Sequence, residues 1–264
     1  MDLQLKSKTA FVSGSTQGIG FAIARSLLLE GARVIINGRT QQKIDQAVEK
    51  LKKEVPAGAV SGIAADFSDV NEVDKLLAAL PQIDILINNV GIFELREFGE
   101  IQDEDWTKFF EVNVLSGVRL SRALLPGMLE RNQGRIIFIS SESAVHIPAN
   151  MIHYGTTKTA MLSVSRGLAE LTRNTEITVN TILGGPTYSD GAALAIEHVA
   201  KAQNQPVEAV KQNLMQAINP TSLLQRFIEP SEIANLAVYL SSPLSIATNG
   251  SALRADGGVL NTIF

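Results

Sequence analysis

A single run near the start of the chain limits what it can become. The strand-like residues Thr9 to Val12 lead straight into Ser13-Gly14-Ser15-Thr16-Gln17-Gly18-Ile19-Gly20, and residues 21–29 then carry apolar side chains along one helical side. A strand, a glycine-rich turn and a helix start together present backbone N–H groups and the positive end of a helix dipole to an anion. Glycines at 14, 18 and 20 let the backbone approach a pyrophosphate closely. A tight structural turn is the competing reading, and the position directly after a buried N-terminal strand favours the phosphate site. The spacing G-x-x-x-G-x-G is not the general dinucleotide pattern G-x-G-x-x-G.

The strand–helix alternation continues through the chain. Apolar, β-branched runs at residues 33–37, 60–65, 83–87, 135–140 and 177–182 predict further strands, and 251–255 predicts a seventh. Between them, periodic segments at 41–54, 70–80, 103–130 and 230–240 predict helices. Strands and helices in this order imply an α/β Rossmann-type doubly wound sheet of about seven mostly parallel strands, with right-handed crossovers and helices on both faces. We expect one domain over residues 1–264, since no repeat, low-complexity run or interdomain linker interrupts the pattern and a chain of this length buries a substantial core. The 103–130 segment offers Trp106, Phe109, Phe110, Val114, Val118 and Leu125 as apolar contacts.

Residues 188–225 break the rhythm. Two amphipathic stretches, 192–202 and 206–217, suggest a helical lid of the kind that closes over substrate and expels water. Leu194, Ile196, Val210, Leu214, Met215 and Ile218 either line its pocket or face the core. No cluster of arginines or lysines marks this segment, so a neutral or moderately apolar carbonyl or alcohol is the expected substrate.

Strand ends supply the remaining candidates, because ligands bind outside the carboxyl edges of open α/β sheets. The second strand runs through Asn37 into Gly38-Arg39. An acid there would hold the adenosine ribose hydroxyls, whereas an arginine accepts a 2′-phosphate through a charge-assisted fork. Gly38 followed by Arg39 therefore predicts NADP(H) in preference to NAD(H), the competing reading being a solvated arginine. Asp66-Phe67 follows the third strand, and Asn88-Asn89-Val90-Gly91 the fourth. Leu183-Gly184-Gly185-Pro186-Thr187 follows the sixth.

The chemistry concentrates between Asn113 and Lys158. Tyr154 and Lys158 are four residues apart, so on a helix they share a face and can enter one cleft. A free phenol has a pKa of about 10, and an adjacent ammonium or an oxidised nicotinamide ring favours its phenolate. Ser141 and Tyr154 would give a carbonyl oxygen two donors where negative charge develops during hydride addition. Lys158 would tune Tyr154 and hold the cofactor ribose, and Asn113, kinking its helix, would hold a water that relays protons to the lysine.

In these residues the chain resembles the short-chain dehydrogenase/reductase family. Tyr154-Gly-Thr-Thr-Lys158 fits its Tyr-x-x-x-Lys pair, Ser141 stands at the usual distance before it, and Asn113-Val-Leu-Ser116 fits its helix asparagine motif. The glycine spacing is also the family's, with Ser13 in place of the usual threonine. Asn88-Asn89-Val90-Gly91 carries valine for alanine, which would crowd the backbone near a cofactor, with Asn88 expected to tie neighbouring strands together. Gly184 replaces a proline, which would loosen the loop over the nicotinamide.

The resemblance implies an NADP(H)-dependent oxidoreductase interconverting a carbonyl and an alcohol, with Asn113, Ser141, Tyr154 and Lys158 as catalytic residues. It implies cofactor contacts from Gly14, Ser15, Thr16, Gln17, Gly18, Ile19, Gly20, Asn37 and Arg39. Asp66, placed against the adenine amino group, Phe67, Asn89, Gly91, Tyr154, Lys158, Pro186 and Thr187 complete the implied set. It also implies a homodimer or homotetramer through the 103–130 helix and the tyrosine helix, the competing reading being an ordinary core helix. Reduction of 3-oxoacyl thioesters shares these motifs and is the nearest alternative, although the lid is longer than that activity leads us to expect. A non-catalytic NADP(H)-sensing protein is the alternative of another class.

Composition narrows the field further. With 45% hydrophobic and 19% charged residues and no long apolar run, the sequence reads as a soluble globular protein without a membrane partner. A net charge of −4 argues against a nucleic-acid surface. The absence of cysteine excludes disulfides, thiol catalysis and cysteine metal sites. Met1 to Lys8 has no signal-peptide core, so a cytoplasmic location is expected. His146, His153 and His198 are not spaced for a metal, and each is expected on the surface or in a loop without a catalytic role.

Overall fold

The computed structural model describes residues 1–263. Seven strands form one sheet: β1 (Thr9–Val12), β2 (Arg33–Gly38), β3 (Val60–Ala64), β4 (Ile85–Asn88), β5 (Gly134–Ser141), β6 (Ile177–Gly184) and β7 (Ala252–Ala255). Their order is β3-β2-β1-β4-β5-β6-β7, and every neighbouring pair is parallel. The expected Rossmann-type sheet is thus realised, with all strands parallel rather than most.

Period-2 side-chain alternation sends each strand's apolar residues to two cores. Ala10, Val12, Ile85, Ile87, Ile137 and Ile139 pack on one face with Ile23 and Leu27 of α1 (Gly18–Leu29), Ile44 and Leu51 of α2 (Gln41–Glu54) and the late helix spanning Pro230–Ser241. Phe11, Leu86, Ile136 and Phe138 pack on the other. There they meet Leu76 of α3 (Val70–Ala79), Leu120 and Met128 of the Ser116–Glu130 helix and Met161 of the Ile152–Glu170 helix. Both sheet faces are therefore covered, as continuous apolar strands require.

The expected single helix over 103–130 is three elements: α4 (Asp103–Phe110), a π-helical turn (Glu111–Leu115) and α5 (Ser116–Glu130). Of its expected contacts Phe109, Val114 and Leu125 are buried, whereas Phe110 is 37% exposed. After β5 come α6 (Ile152–Glu170), α7 (Asp190–Gln203), α8 (Val207–Ile218) and α9 (Pro230–Ser241). Ile196 and Val210 pack into a small cluster with Leu214 beside them, and Met215 is buried. Leu194 and Ile218 face outward at 60% and 66% exposure, so the six apolar residues of the predicted lid divide between core and surface.

The strand order reverses between β1 and β4. This switch point opens a crevice at the carboxyl edge, and the loops after β1, β2, β3, β4, β5 and β6 all end there.

Candidate active site

The glycine-rich loop is held by its own serines, by Asn37 of β2 and by Asn89 just after β4. Ser15 and Asn37, both expected to touch cofactor, are buried and hydrogen-bonded within the protein, Asn37 also donating from Nδ2 to Ile63 O and Ala65 O. Ser15 Oγ donates to Val12 O at 2.6 Å and accepts from Asn37 N at 3.0 Å, and Asn37 Oδ1 accepts from Gly14 N at 3.1 Å. Ser13, in the place of a threonine, accepts from Asn89 N at 2.9 Å and Val90 N at 3.2 Å. Asn89 Nδ2 closes the ring by donating to Gly14 O at 2.8 Å.

The loop has the shape of an anion cradle. Gly14 and Gly18 lie at φ +59° and +60°, a region that favours glycine. A Cβ on Gly20 would sit 2.5 Å from both Gly14 O and Asn89 Nδ2. Gln17 caps α1 without a side-chain hydrogen bond, which leaves first-turn N–H groups directed outward. The donor set is backbone N–H at a helix start, which fits a dinucleotide pyrophosphate.

A cleft of about 390 Å³ runs from this loop along the sheet edge. Its walls include Gly14, Thr16, Gln17, Gly18, Ile19, Asn37, Arg39, Asp66, Phe67, Asn89 and Gly91 from the expected set. Lys43, Ser68, Lys108, Ser189 and Asp190 also line it and were not expected. Lys43 stands one turn into the helix after Arg39, so helical spacing could have found it. Asp66 Oδ1 accepts from Ser68 N and Oγ at 2.9 and 2.8 Å. Partial burial raises its pKa, but these hydrogen bonds and the Arg39 charge outweigh it and hold the carboxyl below its ordinary value.

Pro186 and Thr187 are absent from those walls. Thr187 Oγ1 donates to Gly185 O at 2.8 Å, and Ile228 N donates to Pro186 O at 2.8 Å. Gly184 does not loosen this segment: β6 continues through it, pairing Gly184 with Ser141 and with Ala255. The residues that follow bend back over the cleft, where Asp190 Oδ2 accepts from Gly18 N at 2.6 Å. A carboxylate thus occupies the helix start that suits a phosphate. Val90 does crowd the loop, since its Cγ2 would lie 3.0 Å from a Cβ on Gly14.

The four expected catalytic residues converge at the next part of the edge. Ser141 ends β5, and α6 brings Tyr154 and Lys158 beside it. Close approach is possible because residue 155 is glycine: a Cβ there would lie 2.6 Å from Ile147 Cγ2 and 2.9 Å from Ser143 O. Lys158 is buried, donates from Nζ to Ile139 O at 3.0 Å and lies 5.6 Å from the Tyr154 ring centroid. Burial pulls its pKa down from 10.5 to about 8, against the opposing field of Glu142.

Tyr154 departs from expectation. Burial raises its pKa above that of a free phenol, Glu142 adds to the rise, and the Ser141 hydroxyl opposes it. In the protein alone, desolvation therefore outweighs any help from the lysine, and the phenol is held protonated. The expected lowering of its pKa is not what these surroundings produce.

Asn113 sits in the π-helical turn, where its amide is fully engaged. Its Oδ1 accepts from Ile92 N at 2.7 Å, and its Nδ2 donates to Ile92 O at 3.0 Å and Thr157 Oγ1 at 2.9 Å. The expected kink exists as a π turn, but the side chain serves to lock the loop after β4 to α6. Asn88 likewise differs from expectation: its Nδ2 donates to Ser121 Oγ on α5 at 3.3 Å, so it ties strand to helix rather than strand to strand. His153, expected at the surface, is fully buried against Phe109 with ring centroids 4.2 Å apart. Neither of its ring nitrogens has a hydrogen-bond partner among the described residues, and burial lowers its pKa.

The chain is similar to known proteins over its length. Residues 8–200 match the short chain dehydrogenase family. An uncharacterised oxidoreductase, YvaG of Bacillus subtilis (strain 168), is 47% identical over 100% of both chains. D-beta-hydroxybutyrate dehydrogenase of Cupriavidus necator is 30% identical over 96% of this chain and 98% of its own. Among solved structures, L-sorbose reductase from Gluconobacter frateurii, complexed with NADPH and L-sorbose, superposes with a TM-score of 0.92 at 31% identity, covering 100% of each chain.

Proposed function

The chain belongs to the short-chain dehydrogenase/reductase family and is an NAD(P)-dependent oxidoreductase, and we propose that it interconverts a carbonyl and an alcohol using NADP(H), with Tyr154 as general acid and base. The observation that carries this reading is the meeting of the Ser141 and Tyr154 hydroxyls beside a buried Lys158, at the edge where the glycine cradle lies. When bound, the nicotinamide supplies or takes up the hydride.

The protein's own residues do the rest. A phenol held protonated is ready to give its proton to a carbonyl oxygen, and Ser141 holds that oxygen in place. As the proton leaves Tyr154, the Lys158 ammonium stabilises the phenolate; a proton passed from the lysine to that phenolate would restore the acid, and one taken up from solvent past the π turn around Asn113 would restore the lysine. Glycines 14, 18 and 20 and the start of α1 hold the pyrophosphate, while Asp66 and Phe67 flank the adenine end. Arg39, with Lys43 beside it in the cleft, supports NADP(H) over NAD(H), as does the NADPH in the sorbose reductase structure.

The same reading makes the chain one domain in which α7 and α8 form the substrate lid. It assigns a cytoplasmic setting, with which a cysteine-free chain is compatible. It also assigns a homodimer or homotetramer through the helices around α6, where Leu171 and Leu129 are 61% and 38% exposed. The test follows NADPH and NADH oxidation over ketones, aldehydes, quinones and an acetoacetyl thioester, with Tyr154→Phe as the blank. Turnover with NADPH that disappears in the variant supports the reading. Turnover that survives in Tyr154→Phe removes the tyrosine from its role, and a thioester that outruns every other carbonyl replaces the general activity with acyl-thioester reduction.

A further inference from the structure

Glu142 follows Ser141 directly, and its carboxyl turns back into the catalytic cluster. Ser141 Oγ donates to Glu142 Oε2 while accepting from Ser143 N at 3.1 Å. The carboxyl is half-buried, and its charge reaches both Tyr154 and Lys158. Phe93, Val145 and Ile147 are exposed in the same stretch of the surface, while the polar groups that reach the acid are those of the catalytic cluster and Asp256. Nothing in the carbonyl chemistry above uses it.

Hydrogen-bond accounting gives it a purpose. Ser141 has one hydroxyl hydrogen, now directed at Glu142, and a bound carbonyl oxygen would require that hydrogen to turn away. The half-buried carboxyl then loses its one side-chain donor and keeps only the main-chain N–H groups of residues 142 and 143, and a burial-raised carboxyl short of a donor in such a place is unfavourable. A plain ketone offers nothing in return. A hydroxyl on the carbon next to the carbonyl does: its oxygen lies about as far from the carbonyl oxygen as two hydrogen-bonded oxygens lie from each other, which is the relation of Glu142 Oε2 to Ser141 Oγ.

We propose that Glu142 determines specificity by accepting a hydrogen bond from a hydroxyl adjacent to the reacting carbonyl, so that the substrates are α-hydroxy ketones and the vicinal diols formed from them. This rests on the carbonyl/alcohol reading above. The hydride goes to the carbonyl carbon, the Tyr154 proton to its oxygen, and the adjacent hydroxyl leaves unchanged.

The test compares kcat/KM for hydroxyacetone and butan-2-one, which exchange a hydroxyl for a methyl of similar size. The wild type should prefer hydroxyacetone at least about tenfold, the effect of one hydrogen bond to a charged acceptor. Glu142→Ala should bring the ratio to near one, whereas Glu142→Gln, which keeps an acceptor oxygen, should retain part of the preference. Thermal melting and NADPH titration identify folded variants, and the wild-type ratio is informative even if neither variant folds. A wild-type ratio near one, or an unchanged ratio in Glu142→Ala, overturns the assignment while Tyr154-dependent turnover of both ketones leaves the underlying activity standing. Absence of Tyr154-dependent turnover with any carbonyl overturns both.

Discussion

Replacing Asp190 with alanine should tighten cofactor binding, although the residue begins α7 and is not in the glycine loop. Asp190 Oδ2 accepts from Gly18 N at 2.6 Å, at the start of α1, where a pyrophosphate oxygen would be received. An incoming dinucleotide must displace this carboxylate or approach it against like charge. A hydrogen bond to a charged group contributes about 1.5–3 kcal/mol. The Asp190 side chain is solvent-exposed, so water and salt screen the pair and about 1 kcal/mol is the appropriate scale. Removing it should lower the NADPH Kd about fivefold. Fluorescence titration of NADPH into wild type and Asp190→Ala, at low salt and again at high salt, measures this directly, and the gain should shrink as salt rises. An unchanged or weaker affinity in the variant would refute the reasoning, because the carboxylate would then be assisting the cofactor rather than competing with it.

Other perturbations follow from the same geometry. Arg39→Ala should weaken NADPH binding about tenfold while leaving NADH nearly unaffected, as expected for the loss of a charge-assisted phosphate contact, and the two Kd values give the comparison. Lys158 has a folded pKa of about 8 against 10.5 for the free side chain. The unfolded chain therefore binds more protons between those values, and stability should rise with pH through that window, by about 3 kcal/mol relative to Lys158→Met, read from denaturation midpoints. Gly155→Ala would force a methyl to 2.6 Å from Ile147 and 2.9 Å from Ser143 O, and overpacking of this kind destabilises by about 1–3 kcal/mol. A melting temperature equal to wild type would show that α6 can move away at no penalty.

The seven strands and the helices that cover them were legible because their signals are short-range. Ala10, Phe11 and Val12 alternate between two cores simply because successive side chains on a strand point oppositely. Tyr154 and Lys158 share a face because of helical pitch, and the glycines announce a backbone that no Cβ would permit. Helical spacing paired Tyr154 with Lys158, and the resemblance to the family's motifs placed Ser141 and Asn113 beside them. The ends of strands were less legible: β6 extends through Gly184 because Ser141 and Ala255 pair with it from either side.

What sequence could not reveal depends on which distant groups meet. Gly18 and Asp190 are 172 residues apart, and only the fold brings the start of α7, with its carboxylate, to the start of α1. His153 looked like a loop residue until α4 packed Phe109 over it, and Tyr154 was expected to ionise easily until burial was taken into account. Glu142 stood beside Ser141 throughout, but the direction of its side chain is set by the turn after β5. Local chemistry thus determined the elements and nominated the reacting groups, while the tertiary structure decided burial, field and contact, because those quantities depend on neighbours that the strand order brings together.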